Sequence, residues 1–242
     1  MCAAEVAVVT PPWCERCGRP TEEPAGSCAD CPPAPIDTVR APFLYEGPIA
    51  RAIKGMKFAG WHAVGSHLAG AMAEVSDLRG GVVTWVPLSR RRLRRRGFDQ
   101  AEILARGVAP RLGLPVRGLL RRGRDVGESQ ARRTGADRRT ALAGAFRAVR
   151  EVQTDVILVD DVLTTGSTAA AGAAILKQAG AGRVSVLAAA RSLSGILPNR
   201  CRGLGSAEAG TSTIALGSRL GLWLPGGSSS GSRRQPQAKR PT

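Results

Sequence analysis

Mainly apolar runs stand out along the chain at Val82–Leu88, Val156–Val159 and Arg183–Ala190, the last two rich in Val, Ile and Ala. Runs of this length bounded by glycine or polar residues predict strands buried on both faces, the signature of a parallel sheet. Two shorter segments, Val39–Tyr45 and Val116–Leu120, read as further strands. Between them the apolar positions switch to helical spacing. Ile49, Ile53 and Met56 or Lys57 mark a helix over Ile49–Phe58, broken by Gly60. Ala63–Val75 reads as a second helix, Phe98–Leu112 as a third with Ile103, Leu104 and Val108 inward, and Ala169–Gln178 as a fourth. Strands alternating with helices predict an α/β domain built on an open, mostly parallel sheet flanked by helices. The helix after Thr168 is then the crossover between its two neighbouring strands.

Composition refines the division of the chain. Among 242 residues, 43% are hydrophobic and only 4% aromatic, so the core must be mostly Ala, Val and Leu. Residues 37–191 hold every periodic element. Residues 1–36 are polar and proline-rich, and Pro32–Pro35 reads as a stiff linker. From 192 to 242 the chain is rich in Ser, Gly, Pro and Arg, which predicts a disordered basic tail with a small apolar island at Leu220–Leu224. No apolar run reaches the ~18 residues of a membrane helix, and no signal peptide is apparent, so no membrane insertion and a cytoplasmic location are expected. There, cysteines are expected to be reduced or metal-bound. Lys and Arg number 35 against 19 Asp and Glu, a formal charge of +16, which points to polyanionic partners such as phosphorylated small molecules or nucleic acid.

Candidate chemistry is concentrated in three places. Cys14-x-x-Cys17 and Cys28-x-x-Cys31 are two knuckles separated by 10 residues, a spacing that suits one tetrahedral structural Zn²⁺ site. The residues between them cannot build a core, so metal binding would supply the folding energy of the segment. Cys2 and Cys201 stand alone, and His62 and His67 read as surface or packing residues. The second place is Arg90–Arg96, six arginines in seven positions directly after the strand at Val82–Leu88. It reads either as a solvated or nucleic-acid-binding charge run or as a loop facing pyrophosphate, whose oxygens suit bidentate guanidinium groups. The third is Asp160-Asp161-Val162-Leu163-Thr164-Thr165-Gly166-Ser167-Thr168. Here two carboxylates close a buried strand, and a hydroxyl-rich turn opens a helix. Free N–H groups at a helix N-terminus favour an anion, and Gly166 lets the backbone approach it. The carboxylates suit sugar hydroxyls or a bound Mg²⁺.

That third stretch resembles the phosphoribosyl-pyrophosphate (PRPP) loop of type I phosphoribosyltransferases. The resemblance implies that Asp160 and Asp161 hold the ribose hydroxyls and that Thr164, Thr165, Gly166, Ser167 and Thr168 hold the 5′-phosphate. It implies transfer of a phosphoribosyl group to a nitrogen acceptor with release of pyrophosphate, with Mg²⁺ as cofactor. Arg90 and Arg96 are the candidates for the pyrophosphate side. Val86-Pro87-Leu88 followed by Arg96-Gly97-Phe98-Asp99-Gln100 narrows the resemblance to the ComF family, in which Asn is usual where Asp99 stands. That family also carries an N-terminal Cys₄ zinc ribbon, which Cys14, Cys17, Cys28 and Cys31 match. Arg138 and Ala145-Phe146 fit its pattern, whereas Arg133 and Ala141 depart from it. The polar segment Arg121–Arg139 falls where the type I enzymes have a hood loop that closes over PRPP. Membership implies an association with competence, and hence single-stranded DNA or DNA-uptake machinery as partners. A nucleotide- or DNA-associated protein without transferase turnover is the alternative function.

Overall fold

In the computed structural model, residues 6–29, 31–32, 34–123 and 145–193 are described. Residues 124–144, which take in most of the expected hood loop Arg121–Arg139, the tail from 194 onward, Cys2 and Cys201 lie outside them.

The sheet is wholly parallel. Its strands are β1 (Thr38–Arg40), β2 (Phe43–Leu44), β3 (Val82–Trp85), β6 (Val156–Leu163) and β7 (Val184–Arg191). β7 and β6 are the central pair, with β3 on the far side of β6, while β1 and β2 both lie along β7. One strand was expected over Val39–Tyr45, but Pro42 interrupts it, because proline has no N–H to give to a ladder. The chain therefore pairs with β7 twice, at Ser185–Leu187 and again at Ala190–Arg191. A separate antiparallel pair consists of β4 (Leu120–Arg122) and β5 (Phe146–Ala148). The expected strand at Val116–Leu120 is only a single bridge from Val116 to Val83, and regular pairing begins at Leu120.

Helices cover both faces, as the apolar character of β6 and β7 requires. α1 (Gly47–Phe58), α2 (His62–Glu74) and α4 (Gln100–Arg111) pack over one face through Ile53, Met56, Met72, Leu104 and Val108, against Ile157, Val159 and Leu187. α5 (Ser167–Gln178) covers the other face through Ala169, Ala173 and Leu176. It shares that face with β4, β5 and the cysteine segment. Cys14 and Cys17 are buried in the same core cluster as Val39, Leu158 and Val184, so the knuckles pack on the domain itself. Val156 through Val159 have no exposed surface, and the strand alternates its side chains between the two layers.

The arginine run is a helix and not a loop. α3 (Arg90–Arg96) begins at Ser89, whose Oγ accepts the Arg92 N–H at 3.3 Å. It ends at Gly97, which adopts φ 79° and donates its N–H to the Leu93 carbonyl at 2.8 Å. A serine N-cap and a left-handed glycine C-cap overcome the like-charge repulsion within the turn. Nothing on α3 is buried.

Candidate functional site

β6 does not stop at its acidic residues. It continues to Leu163, held in register by the pairs Asp160 with Ala188 and Val162 with Ala190. Asp160 and Asp161 thus sit on rigid sheet, close to its carboxyl end, where open α/β sheets place their ligands. The next residues turn into α5. Thr164 and Thr165 are exposed, and Gly166 takes φ 75° as the residue before the helix. Gly166 at the N-cap has no side chain to cap α5, which leaves N–H groups of its first turn without a capping partner. Thr165 Oγ1 and Ser167 Oγ lie 2.9 Å apart, and the Ser167 N–H donates to Thr165 Oγ1 at 3.4 Å. Thr168 follows, half-buried, in the first turn. Hydroxyls and free amides at the positive end of a 12-residue helix have the chemistry of a phosphate cradle.

The two carboxylates are not equivalent. Asp160 Oδ1 accepts the Asp161 N–H at 2.8 Å. Burial, and next the neighbouring charge of Asp161, push the Asp160 carboxyl up to about 8. Asp161 instead has a cation of its own: Lys57 Nζ lies 2.8 Å from Asp161 Oδ2, with the two side chains 17% and 16% exposed. Sequence reasoning left Lys57 as one of two options for the last apolar position of its helix. It is four residues beyond Ile53 on the buried stripe, and a lysine ending such a stripe was the signal available.

Arg96 joins the cluster from the last turn of α3. Its Nη1 donates to Gln100 Oε1 at 2.7 Å, and its guanidinium lies 4.9 Å over the Phe58 ring. Burial draws its pKa down, and the strongest charge opposing that is Asp161. Arg96 Nε and Gln100 Nε2 are buried N–H groups without a partner, and Gln100 itself is 1% exposed. Arg90 is exposed at the first position of α3, and among the described residues no hydrogen bond or ion pair ties it to Asp160 or Asp161.

Asp99 locks this corner together. Its Oδ1 accepts the N–H groups of Ala101 at 3.0 Å and Glu102 at 3.4 Å, which caps α4. Its Oδ2 accepts the Leu88 N–H at 2.8 Å, which ties the turn after β3 to the start of α4. Both oxygens are used, a division of labour that asparagine, with one acceptor oxygen, could not repeat. His62 packs edge-on against Phe98 at 4.4 Å, the packing role expected of it.

The four cysteines converge. Their sulfurs all lie within 4.8 Å of one another, with Cys14–Cys31 and Cys17–Cys28 at 3.6 Å and Cys28–Cys31 at 3.8 Å. Zn–S bonds of about 2.3 Å in a tetrahedron put sulfurs about 3.8 Å apart, so the cluster fits a closed four-sulfur metal site. The Gly18 N–H returns to the Cys14 carbonyl at 2.7 Å, and the Cys28 N–H donates to Cys31 Sγ at 3.4 Å. Beneath them, the buried guanidinium of Arg191 at the end of β7 donates to the Cys17 carbonyl.

Comparison with known proteins places the chain. The DNA utilization protein YhgH of Salmonella typhimurium is 30% identical over 191 residues, covering 74% of this chain and 84% of that protein. YhgH of Escherichia coli K12 is 30% identical over 199 residues with the same coverage. The chain belongs to the ComF family of YhgH. No family model matches it. Among solved structures, a glutamine PRPP amidotransferase from B. subtilis complexed with ADP and GMP is 28% identical, at a TM-score of 0.40 over 53% of this chain, which spans 26% of that protein. Adenine phosphoribosyltransferase from Leishmania tarentolae is 18% identical, at a TM-score of 0.33, covering 55% of this chain and 62% of that one. Among the described residues, no helix is long and apolar enough to cross a membrane.

Proposed function

We propose that this ComF-family protein binds PRPP or a closely related 5-phosphorylated ribose and transfers its phosphoribosyl group to a nitrogen acceptor, releasing pyrophosphate. One observation carries the reading: an uncapped helix N-terminus and its hydroxyl turn, Thr164–Thr168, directly follow the acidic pair on the rigid end of β6. The cradle takes the 5′-phosphate. Asp160 and Asp161 accept hydrogen bonds from the ribose hydroxyls. Arg96, and Arg90 on the same helix, face the pyrophosphate. Fixing these groups in advance lowers the barrier by orientation and by stabilising charge on the leaving pyrophosphate.

The acidic pair does not fit a directly held Mg²⁺. Asp161 already has the Lys57 ammonium, and Asp160 retains its proton into the neutral range. Magnesium in this reaction would enter on the polyphosphate of the ligand. The cysteine cluster, by contrast, fits a structural Zn²⁺ held by Cys14, Cys17, Cys28 and Cys31. It is far too closed for a catalytic role, since all four positions are thiolates.

Calorimetric titration with PRPP, followed by pyrophosphate release across candidate bases, tests the reading. Binding that is lost in an Asp160→Asn/Asp161→Asn variant supports it; a wild-type protein that binds no PRPP sinks it. A second reading, a nucleotide- or DNA-associated protein without turnover, is favoured by the exposed arginines of α3 from Arg90 to Arg95 and by the DNA utilization named in its relatives. It predicts PRPP or nucleotide binding with no pyrophosphate release from any acceptor. The cytoplasm is the compartment in which PRPP and reduced cysteines would both be found.

A further inference from the structure

The ion pair between Lys57 and Asp161 joins the end of α1 to the ligand edge of β6, and nothing in the phosphoribosyl reading assigns it a role. Lys57 is held in place firmly. Ile53 and Met56, on the turn before it, have no exposed surface. Gly55 lies so close under the Trp61 indole that even a Cβ there would collide with the ring. The helix closes with the Ala59 N–H on the Gly55 carbonyl at 2.8 Å, and the Arg96 guanidinium lies 4.9 Å over the ring of Phe58. The backbone of Lys57 is therefore fixed, and its four-carbon stem delivers an ammonium to one oxygen of Asp161, in a setting where each side chain is more than four-fifths buried. An ammonium and a divalent cation compete for the same carboxylate oxygen. The first is part of the chain and already there.

We propose that Lys57 is a positioning residue that serves as the resident counter-cation of the acidic pair. It holds Asp161 oriented toward a ribose diol and makes recognition of the phosphorylated ribose independent of divalent metal. The Asp161 Oδ1 oxygen stays available to the sugar while Oδ2 is occupied by Lys57. This inference rests on the reading that the site takes a phosphorylated ribose.

Ribose 5-phosphate is the probe, because it has the diol and the 5′-phosphate but no pyrophosphate to carry a metal in. Its affinity is measured by calorimetry in EDTA and in Mg²⁺, for the wild type, Lys57→Met and Lys57→Arg, with thermal melts confirming that each variant is folded. The wild type is expected to bind within about twofold in the two buffers. Lys57→Met is expected to bind at least about tenfold more weakly in EDTA and to recover in Mg²⁺, and Lys57→Arg to keep most of the metal-free affinity. Wild-type binding that needs Mg²⁺, or a Lys57→Met protein equally tight in EDTA, overturns the role of Lys57 and leaves the ribose site standing. A folded Lys57→Met protein weakened equally in both buffers also overturns it, since the lysine would then act otherwise than as a cation surrogate. A wild type that binds ribose 5-phosphate in neither buffer overturns the phosphorylated-ribose reading itself.

Discussion

Pro32, one residue past Cys31, lies directly against Gly166 in the turn ahead of α5: a Cβ placed on Gly166 would be 3.0 Å from Pro32 Cβ. The four-cysteine segment and the Thr164–Thr168 turn are thus in contact, although they are far apart along the described chain. Whatever moves the second knuckle bears on the turn that would hold the 5′-phosphate.

Gly166 is the first residue to test. Its φ of 75° costs an L-residue about 1–2 kcal/mol, and the Pro32 contact adds to that. Gly166→Ala is expected to lower the melting temperature by about 2–4 °C per kcal/mol lost and to abolish binding of phosphorylated ribose. Differential scanning calorimetry and a PRPP titration read the two effects. A variant that binds like the wild type would show that the turn does not need the close approach.

Asp160 predicts a pH dependence of stability. Burial and the charge of Asp161 hold its carboxyl near 8 in the folded protein, against 3.8 as the ordinary value. A group raised on folding contributes fully below its unfolded pKa, and that stability is lost as pH rises through the folded value. Asp160→Asn removes the ionisation. It is expected to melt close to the wild type below about pH 4, progressively higher than it as pH rises to about 8, and by a constant margin above that. A difference that stays flat with pH would mean that Asp160 ionises freely.

Arg191 predicts a metal phenotype. Four thiolates around Zn²⁺ carry a net negative charge, and the buried guanidinium that meets the Cys17 carbonyl lies against it. Burial is the main reason the Cys17 thiol is pushed up to about 12, and Arg191 is the leading force in the other direction. The purified protein is expected to hold about one zinc per chain. Arg191→Met is expected to weaken zinc by about 10–100-fold in a chelator competition, as loss of an outer partner of a metal ligand typically does. Unchanged affinity would assign Arg191 to packing alone.

The chain itself determined the sheet, the crossover helix, the cysteine quartet and the hydroxyl-rich turn at Thr164–Thr168. Each is local: an apolar run, a period, a ligand spacing or a contiguous motif is complete within a few residues, so the physics that forms it can be read along the chain. The helix of arginines was legible too, in Ser89 and Gly97, but its charge density disguised it as a loop. What only the tertiary structure decided are the pairings between distant residues: Lys57 with Asp161, Arg96 with Gln100 beside Phe58, Arg191 with Cys17, and Pro32 with Gly166. These depend on which layer each element covers and on where a parallel sheet brings its strand ends. No periodicity encodes a contact between a helix end and a strand end. The carboxylates could therefore be picked out from sequence, but the lysine that one of them already holds could not.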